Sequence, residues 1–324
     1  MKVLAFDIGG ANTKKLVYDG EIKKSEIHYF PLWKKKDNLA LLLSRLKEDA
    51  DLVAITMTAE LCDVFSNKEE GVRYLVLKCE EVFDEPYYLS LDKGLLKAKD
   101  IENLRELAAA NWLASLYYLE EVFGEGILLD VGSSSTDIIP FSRGFKKYVK
   151  SDLERLKRKQ LLYTGVLRTP LNAIVNEVPL GGDMMGISSE YFAITADIYN
   201  ILDLGIDYTC ETPDGAGKSM EESMARIARL LCADLSELDK RDIIKICEHI
   251  HNKQVKDIGK VLQTVVGEGS SKVYVGGIGR EVGIKACKVC GFDFKDLSTV
   301  TQAYDNLPCL GLAYMSSVRK VDNV

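Results

Sequence analysis

The sequence predicts an α/β protein of two lobes around a central cleft, and three strand-to-turn segments lead to this prediction. Residues 3–6 and 127–129 are apolar runs typical of buried strands, and residues 272–275 are predicted to form a short strand. The first two runs lead to an aspartate followed by a glycine-containing polar turn, and the third enters a glycine-rich turn. Because the two acidic turns lie in different halves of the chain, we expect one in each lobe, on opposite sides of the cleft.

The two acidic turns have the composition of phosphate-binding loops. Glycine lets a turn come close to an anion, and the backbone N–H groups and hydroxyls of such a turn can surround phosphate oxygens. The predicted phosphate-binding residues are Gly9, Gly10, Asn12, Thr13, Lys14, Gly132, Ser133, Ser134, Ser135 and Thr136. A carboxylate at a strand end can hold a magnesium ion that the same oxygens bind. Asp7 and Asp130 are therefore the predicted Mg²⁺ ligands.

The third turn differs from the other two because it carries no acidic residue. It reads Gly276-Gly277-Ile278-Gly279, and a turn of bare backbone suits a flat ring or the uncharged body of a substrate. Gly276, Gly277 and Gly279 are the predicted contacts.

The elements between these turns are predicted from periodicity and cap residues. In the first half, Asp100 and Gly124 bound a segment that predicts a helix over residues 101–123. The other predicted elements of this half are a helix carrying Leu39, Leu42, Leu43 and Leu46 and strands at residues 15–17, 25–32, 52–56, 71–76 and 87–91. The lobe boundary is predicted at the second acidic turn, with an N-terminal lobe of residues 1–126 and a C-terminal lobe of residues 127–324.

The C-terminal lobe is predicted to be mainly helical. The predicted elements are a strand at residues 136–141, helices at 153–160, 191–204, 280–289 and 310–318, several helices within 220–266, and a strand near 297–300. The last helix is predicted to pack back on the first lobe.

Composition and charge exclude several classes of protein. A formal charge of −7 argues against a general nucleic-acid binder. No apolar run approaches the ~20 residues that span a bilayer, and Met1 leads directly into the first strand, so we expect no membrane association and no signal peptide. The eight scattered cysteines indicate a reducing cytoplasm. The sequence leaves a homo-oligomer open.

Two local motifs do not predict the sites that they resemble. Gly215-Ala216-Gly217-Lys218-Ser219 resembles the end of a P-loop, but Thr212 stands where the first glycine is needed. A lid that bears Asp214 and Lys218 is the better interpretation. Cys287 and Cys290 have the spacing of half a zinc site without a second pair nearby, and the sequence assigns them no role.

The order of the three turns resembles that of the actin-like superfamily, which includes sugar kinases, chaperones and actin. More closely, the three segments Asp7–Lys14, Thr56–Asp63 and Asp130–Asp137, together with Ala193–Tyr199, are similar to an archaeal family of synthases associated with methanofuran biosynthesis and related to the N-terminal part of hydantoinases. The resemblance implies a cytoplasmic transferase that couples [5-(aminomethyl)furan-3-yl]methyl diphosphate to the phenol oxygen of γ-glutamyltyramine. Diphosphate would be released, with Mg²⁺ as cofactor.

The implied reaction requires a base for the phenol. The ordinary pKa of a phenol, ~10, lies ~3 units above neutral pH, so ionising the phenol at pH 7 costs about 4 kcal/mol. A positioned base typically raises the rate by about 10²–10⁴, which is a comparable effect. Asp197, Glu60 and Asp183 are the candidates, in that order.

Three other activities remain alternatives. An ATP-dependent small-molecule kinase would use the same turns and metal, and its product would be ADP. An ATP-dependent amidohydrolase would follow from the hydantoinase relationship. A nucleotide-switched binding protein would turn over slowly and would need a partner.

Overall fold

The structure, a computed structural model, describes residues 1–143, 149–267 and 271–318. The strands are β1 (Val3–Ile8), β2 (Asn12–Tyr18), β3 (Ile22–Tyr29), β4 (Leu52–Met57), β5 (Tyr87–Ser90), β6 (Gly94–Lys97), β7 (Glu125–Val131), β8 (Thr136–Ser142), β9 (Leu161–Leu162), β10 (Glu177–Leu180), β11 (Asp183–Gly186), β12 (Val273–Gly276) and β13 (Phe294–Asp296). The α-helices are α1 (Leu32–Lys35), α2 (Leu39–Leu46), α3 (Lys68–Glu80), α4 (Asn111–Phe123), α5 (Asp152–Lys157), α6 (Thr195–Leu202), α7 (Met220–Arg229), α8 (Lys240–Val266), α9 (Arg280–Cys290) and α10 (Leu307–Val318).

The chain divides into two compact units. Unit 1 contains the described residues of Met1–Gly126, Phe141–Arg155 and Ser298–Val324. Unit 2 contains the described residues of Ile127–Pro140 and Leu156–Leu297. The predicted division into lobes of residues 1–126 and 127–324 stays a prediction.

Unit 1 is organised around a sheet with the strand order β3-β2-β1-β4-β5-β6. β1 is buried along its whole length, pairs antiparallel with β2 and pairs parallel with β4. The parallel register places Asp7 opposite Thr56 and Ile8 opposite Met57. The turns after β1 and β4 therefore leave the same edge of this sheet.

Unit 2 contains a second sheet, with the order β13-β12-β7-β8-β9. β12 pairs parallel with β7, with Gly276 opposite Asp130, and parallel with β13 on its other side. This sheet repeats the order of five strands of unit 1, from β3 to β5. β7, like β1, has two strands on one side and two successive parallel pairings on the other, and unit 1 adds β6 antiparallel at its edge. The repeated order is that of a ribonuclease-H-like sheet.

The helices of each unit cover an apolar core. In unit 1, α10 packs on α4 and β1, and a Cβ added to Gly311 would lie 1.8 Å from the carbonyl oxygen of Ala114, so the two helix backbones are in contact. In unit 2, α6, α7 and α8 bury Ile198, Ile227 and Ile250 in a common cluster. None of the helices in the described part of the chain is long and apolar enough to cross a membrane.

Three of the predicted elements are wrong. Residues 71–76 form part of helix α3, in which Val72, Leu75, Val76 and Cys79 are buried at helical spacing. The predicted helix over residues 101–123 begins only at Asn111, because the chain before it forms a short 3-10 helix and Ala109 has a φ of 50°. The strand predicted near 297–300 is a 3-10 helix, and the strand itself is β13.

Candidate active site

The first acidic turn lies at the end of β1 in unit 1. Asp7 is 4% exposed, and the N–H of Gly9 donates to the carbonyl oxygen of Asn12 at 2.9 Å, which closes the turn. A Cβ on Gly9 would lie 2.8 Å from that same carbonyl oxygen, so only glycine fits without a shift of the backbone. The Cβ positions of Gly9 and Gly10 would also lie 3.4 Å from Thr58 Oγ1 and 3.0 Å from Cys62 Sγ. The turn after β1 therefore packs against the turn after β4.

The polar side chains predicted for this turn lie at the start of β2, where Thr13 and Lys14 pair with Ile8 and Asp7, and they are held in different ways. Thr13 is fully buried, and Lys14 Nζ donates to the carbonyl oxygen of Asp305 at 2.8 Å. The backbone is fastened to the following segment, since the N–H of Phe30 donates to the carbonyl oxygen of Ala11 at 2.8 Å. The glycine-containing turn is thus closed by one backbone hydrogen bond, fastened to the Phe30 backbone by another, and placed beside a carboxylate.

Glu60 lies in the turn after β4, also within unit 1. Its side chain is 2% exposed, and its Oε2 accepts no hydrogen bond from the described residues. Burial raises the pKa of Glu60 to about 7, against smaller lowering effects from backbone hydrogen bonds and from Lys68. Helix α3 approaches so closely that a Cβ on Gly71 would lie 2.1 Å from the Glu60 carbonyl oxygen. The structure therefore holds a carboxyl that titrates near neutrality next to the edge where Asp7 lies.

The second acidic turn connects β7 to β8 in unit 2. It is closed by the N–H of Gly132, which donates to the carbonyl oxygen of Ser135 at 2.8 Å. The segment after β9 lies directly on it, because the N–H groups of Leu167 and Arg168 donate to the carbonyl oxygen of Ser133 at 3.0 and 2.9 Å. Arg168 Nη1 also donates to Ser134 Oγ at 3.2 Å. The serine-rich turn therefore has a guanidinium at its side.

Glycine is required on both sides of this second turn. A Cβ on Gly165 would lie 2.5 Å from the backbone of Ser133 and Ser134. A Cβ on Gly277 would lie 2.2 Å from Asp130 Oδ1, and this glycine has a φ of +85°. A side chain at either position would clash with the backbone of the turn or with the Asp130 carboxylate.

The other predicted residues of the second and third turns serve packing in this structure. Thr136 is fully buried, and its Oγ1 donates to the carbonyl oxygen of Thr164 at 2.6 Å. Gly276 is the buried last residue of β12, and the N–H of Gly279 donates to the carbonyl oxygen of Val131 at 2.8 Å. The glycine-rich turn thus packs on the end of β7.

Asp197, the first base candidate, lies at the start of α6 in unit 2. It is fully buried, its Oδ2 accepts from the N–H of Ile194 at 3.0 Å, and its Oδ1 accepts from Arg226 Nε at 2.8 Å and from the Tyr208 hydroxyl at 3.1 Å. Burial raises the pKa of Asp197, and the Ile194 N–H and the Arg226 guanidinium oppose this rise. In this conformation the carboxylate caps its own helix and pairs with a buried cation.

The remaining candidates lie apart from these turns. Asp183, the third base candidate, begins β11 on an exposed two-stranded hairpin. Cys287 and Cys290 are free thiols on α9. Asp214, in the predicted lid, accepts from Arg226 at 3.2 Å and from Arg229 at 2.7 Å. Among the described residues, no group of three or more His, Cys, Asp or Glu is placed to hold a metal ion.

Sequence reasoning missed Gln254, which supports the second turn from α8. Its Nε2 donates to Thr164 Oγ1 at 2.8 Å and to the carbonyl oxygen of Gly165 at 2.9 Å, and its Oε1 accepts from the Tyr199 hydroxyl. The side chain is 1% exposed. The available signal was a glutamine at a position where the helical periodicity of α8 expects an apolar residue.

Comparisons with known proteins confirm the predicted resemblance. Residues 51–301 match the hydantoinase/oxoprolinase family. A relative from Methanocaldococcus jannaschii, named (4-{4-[2-(γ-L-glutamylamino)ethyl]phenoxymethyl}furan-2-yl)methanamine synthase, is 39% identical over 86% of this chain and 87% of its own length. This chain belongs to that synthase family, within the hydantoinase/oxoprolinase family. A relative of the same name from Methanococcus vannielii is 38% identical over 48% of this chain and 72% of its own length.

The solved structures confirm the fold class. A nucleotide-free structure of acetone carboxylase, from a study of ATP-dependent acetone carboxylation, has a TM-score of 0.58 and 12% identity, and the match covers 97% of this chain and 70% of that one. At this identity the likeness shows the fold alone. Together with the two sheets, each of which has helices packed beside it, it confirms the predicted α/β fold class.

Proposed function

We propose that this protein couples [5-(aminomethyl)furan-3-yl]methyl diphosphate to the phenol oxygen of γ-glutamyltyramine and releases diphosphate. The observation that carries the proposal is the 39% identity to a synthase over 87% of that relative's length. The name of that relative describes an aryl ether of a furanylmethanamine, which is the product of this coupling. The same observation favours the synthase over the small-molecule kinase.

The reaction is a substitution at carbon. The phenol oxygen forms a bond to the furanylmethyl carbon. The bond from this carbon to the ester oxygen on the α-phosphorus breaks, and its electron pair goes to that oxygen. The phenolic proton passes to a base. Negative charge develops on the departing diphosphate, and fixed donors that meet it lower the barrier.

We assign the binding of the departing diphosphate to the two acidic turns. The N–H groups of Gly9 and Gly132 close the turns by donating to the carbonyl oxygens of Asn12 and Ser135. The proposed donors to the diphosphate oxygens are therefore the N–H of Gly10 and the N–H and hydroxyl of Ser133. The other proposed ligands of the oxygens are Asn12, Lys14, Ser134 and Ser135. Thr13 and Thr136 are fully buried, and Gly276, Gly277 and Gly279 pack on the end of β7, so this proposal gives them no contact with the substrate.

A magnesium ion fits the donor chemistry of Asp7 and Asp130. Mg²⁺ is usually held by one or two carboxylates together with substrate phosphates and water, so each aspartate is a suitable protein ligand. Both carboxylates lie near the end of a largely buried strand, Asp7 in β1 and Asp130 in β7, and a glycine-containing turn follows each strand. When bound, the ion would neutralise charge on the diphosphate.

We propose Glu60 as the base, ahead of Asp197 and Asp183. A base acts best when its pKa lies near the working pH, and burial brings the pKa of Glu60 to about 7. Asp197 would first have to leave Arg226, Tyr208 and its own helix N-terminus. Asp183 is exposed on a hairpin, where water would compete with the phenol.

Incubation of the protein with MgCl₂ and both substrates tests the proposal. The expected result is the ether, detected by its mass, in the absence of any nucleotide. Asp7→Asn is expected to lose most of this activity, whereas Asp19→Asn, at an exposed carboxylate on the far end of the same strand pair, is expected to keep it. No ether, together with ADP formation once ATP is added, would replace the proposal with the kinase.

A further inference from the structure

We infer that Arg168 is a ligand of the diphosphate, bound through the serine-rich turn of unit 2. This inference rests on the proposed function and extends it by one residue. Arg168 is expected to distinguish a diphosphate from a single phosphate.

The position of Arg168 is fixed by its contacts with the second turn. Its backbone N–H donates to the carbonyl oxygen of Ser133 at 2.9 Å, and its Nη1 donates to Ser134 Oγ at 3.2 Å. The residue is therefore attached to the turn at both ends, by its main chain and by its guanidinium. A side chain held in this way loses little further conformational freedom when an anion binds.

The contact with Ser134 also prepares the hydroxyl. A serine hydroxyl that accepts a hydrogen bond keeps its own proton to donate. When the donor is a cation, as Arg168 is here, the hydrogen bond polarises the hydroxyl and makes it a stronger donor to an anion. Ser134 and Arg168 thus form adjacent donors of the kind that oxygen atoms on neighbouring phosphates require. Arginine suits this role because its planar fork binds phosphate oxygens in pairs.

Cys210 packs against the segment that carries Arg168. Cys210 lies next to Leu167, with its Sγ 3.7 Å from the Leu167 carbonyl oxygen. Burial raises the pKa of Cys210 to about 11, and Lys218 and Arg168 are the main opposing influences. The Cys210 thiol is therefore influenced by the positive charges of both side chains.

Calorimetric titration of the full chain with inorganic diphosphate in MgCl₂ tests the inference, with orthophosphate as the second ligand. Arg168→Gln is expected to weaken diphosphate binding about 10- to 100-fold, as expected for the loss of hydrogen bonds to a charged group. Orthophosphate binding is expected to weaken much less. Arg168→Lys is expected to give an intermediate loss, since it keeps the charge and removes the fork. Arg241→Gln, which neutralises an exposed arginine at the start of α8, is the matched control and is expected to bind as the unmodified protein does.

The outcomes distinguish a residue that binds the diphosphate from one that only supports Ser134. Unchanged diphosphate binding in Arg168→Gln, or equal losses for both anions, would overturn the inference, because a residue that only supports Ser134 affects any phosphate alike. If Arg168→Gln does not fold, the Arg168→Lys variant decides by the same comparison. Ether formation by the unmodified protein is measured in parallel. If the unmodified protein forms the ether and the Arg168 variants bind diphosphate as it does, only the inference about Arg168 is refuted. If the unmodified protein neither forms the ether nor binds diphosphate, the proposed function is refuted as well.

Discussion

Arg226 and Asp197 form an ion pair that unit 2 encloses completely. Arg226 Nε lies 2.8 Å from Asp197 Oδ1, and both side chains are 0% exposed. The guanidinium also donates to Asp214 Oδ1 at 3.2 Å and to the carbonyl oxygen of Gly217 at 3.1 Å. One arginine on α7 thereby ties the start of α6 to the loop that carries Asp214.

The first prediction concerns this arginine. Arg226→Met is expected to lower the free energy of unfolding by about 3–5 kcal/mol, because it leaves a buried carboxylate without its cation. The measurement is urea unfolding at pH 7. Arg229→Met is the control, since Arg229 contacts Asp214 from the surface and an exposed pair contributes about 0–1 kcal/mol. Equal losses in the two variants would show that burial of the pair does not matter.

The second prediction is the pH dependence of coupling. If Glu60 is the base, it must be ionised, so kcat/KM is expected to rise with pH and to level off above a pKa of about 7. Glu60→Gln is expected to lose about 10²–10⁴ in rate and to lose this rise. Initial rates of ether formation between pH 5 and 9 provide the test. Should Asp197→Asn rather than Glu60→Gln abolish the rise, the base is Asp197.

The third prediction is the effect of the same carboxyl on stability. The folded pKa of about 7 lies above the ordinary value of 4.5, so between these values the unfolded chain releases its proton first. The free energy of unfolding therefore falls as pH rises through this window, by up to about 3 kcal/mol in total. Glu60→Gln removes this decline, because glutamine does not ionise. The variant is therefore expected to be more stable than the unmodified protein at pH 8, where the buried Glu60 is ionised, but not at pH 4, where it is neutral. Urea unfolding at both values measures it, with the exposed Glu177→Gln as control; a parallel pH response in the two variants would contradict the prediction.

The fourth prediction concerns the glycine beside Asp130. Gly277→Ala is expected to reduce ether formation strongly, because its Cβ would lie 2.2 Å from Asp130 Oδ1 at a φ of +85°. Gly186→Ala is the control, since that position has open space and a φ outside the left-handed region. Activity and melting temperature are measured together. Full activity in Gly277→Ala would mean that the Asp130 carboxylate can move without consequence.

The fold was more accessible to sequence reasoning than the site. Strand β1 and the two acidic turns were predictable, because an apolar run that ends on Asp-x-Gly leaves few other conformations. Helix α3 was not, since residues 71–76 are apolar enough for a strand and only the longer window to Cys79 shows the helical period. A short apolar run is compatible with both a helix and a strand.

The contacts that give each candidate its chemistry were not predictable. The neighbours of Glu60 and Asp197 come from distant segments, such as Gly71 of α3 and Arg226 of α7, and spacing along the chain does not show which carboxylate will be buried or paired. Gly165 and Arg168 could be noted as polar and small residues in one segment, but their contact with Ser133 and Ser134 depends on how that segment crosses the turn. Tertiary packing, not local pattern, decides these roles.

The fate of the phenol oxygen tests the central claim most directly. γ-Glutamyltyramine labelled with ¹⁸O in its phenol is incubated with the furan diphosphate, MgCl₂ and no nucleotide, and both products are analysed by mass spectrometry. Attack of the phenol on carbon predicts that all of the label is found in the ether and that unlabelled diphosphate is released in equal amount. Label in a phosphate product, or no ether until ATP is supplied, would contradict the account.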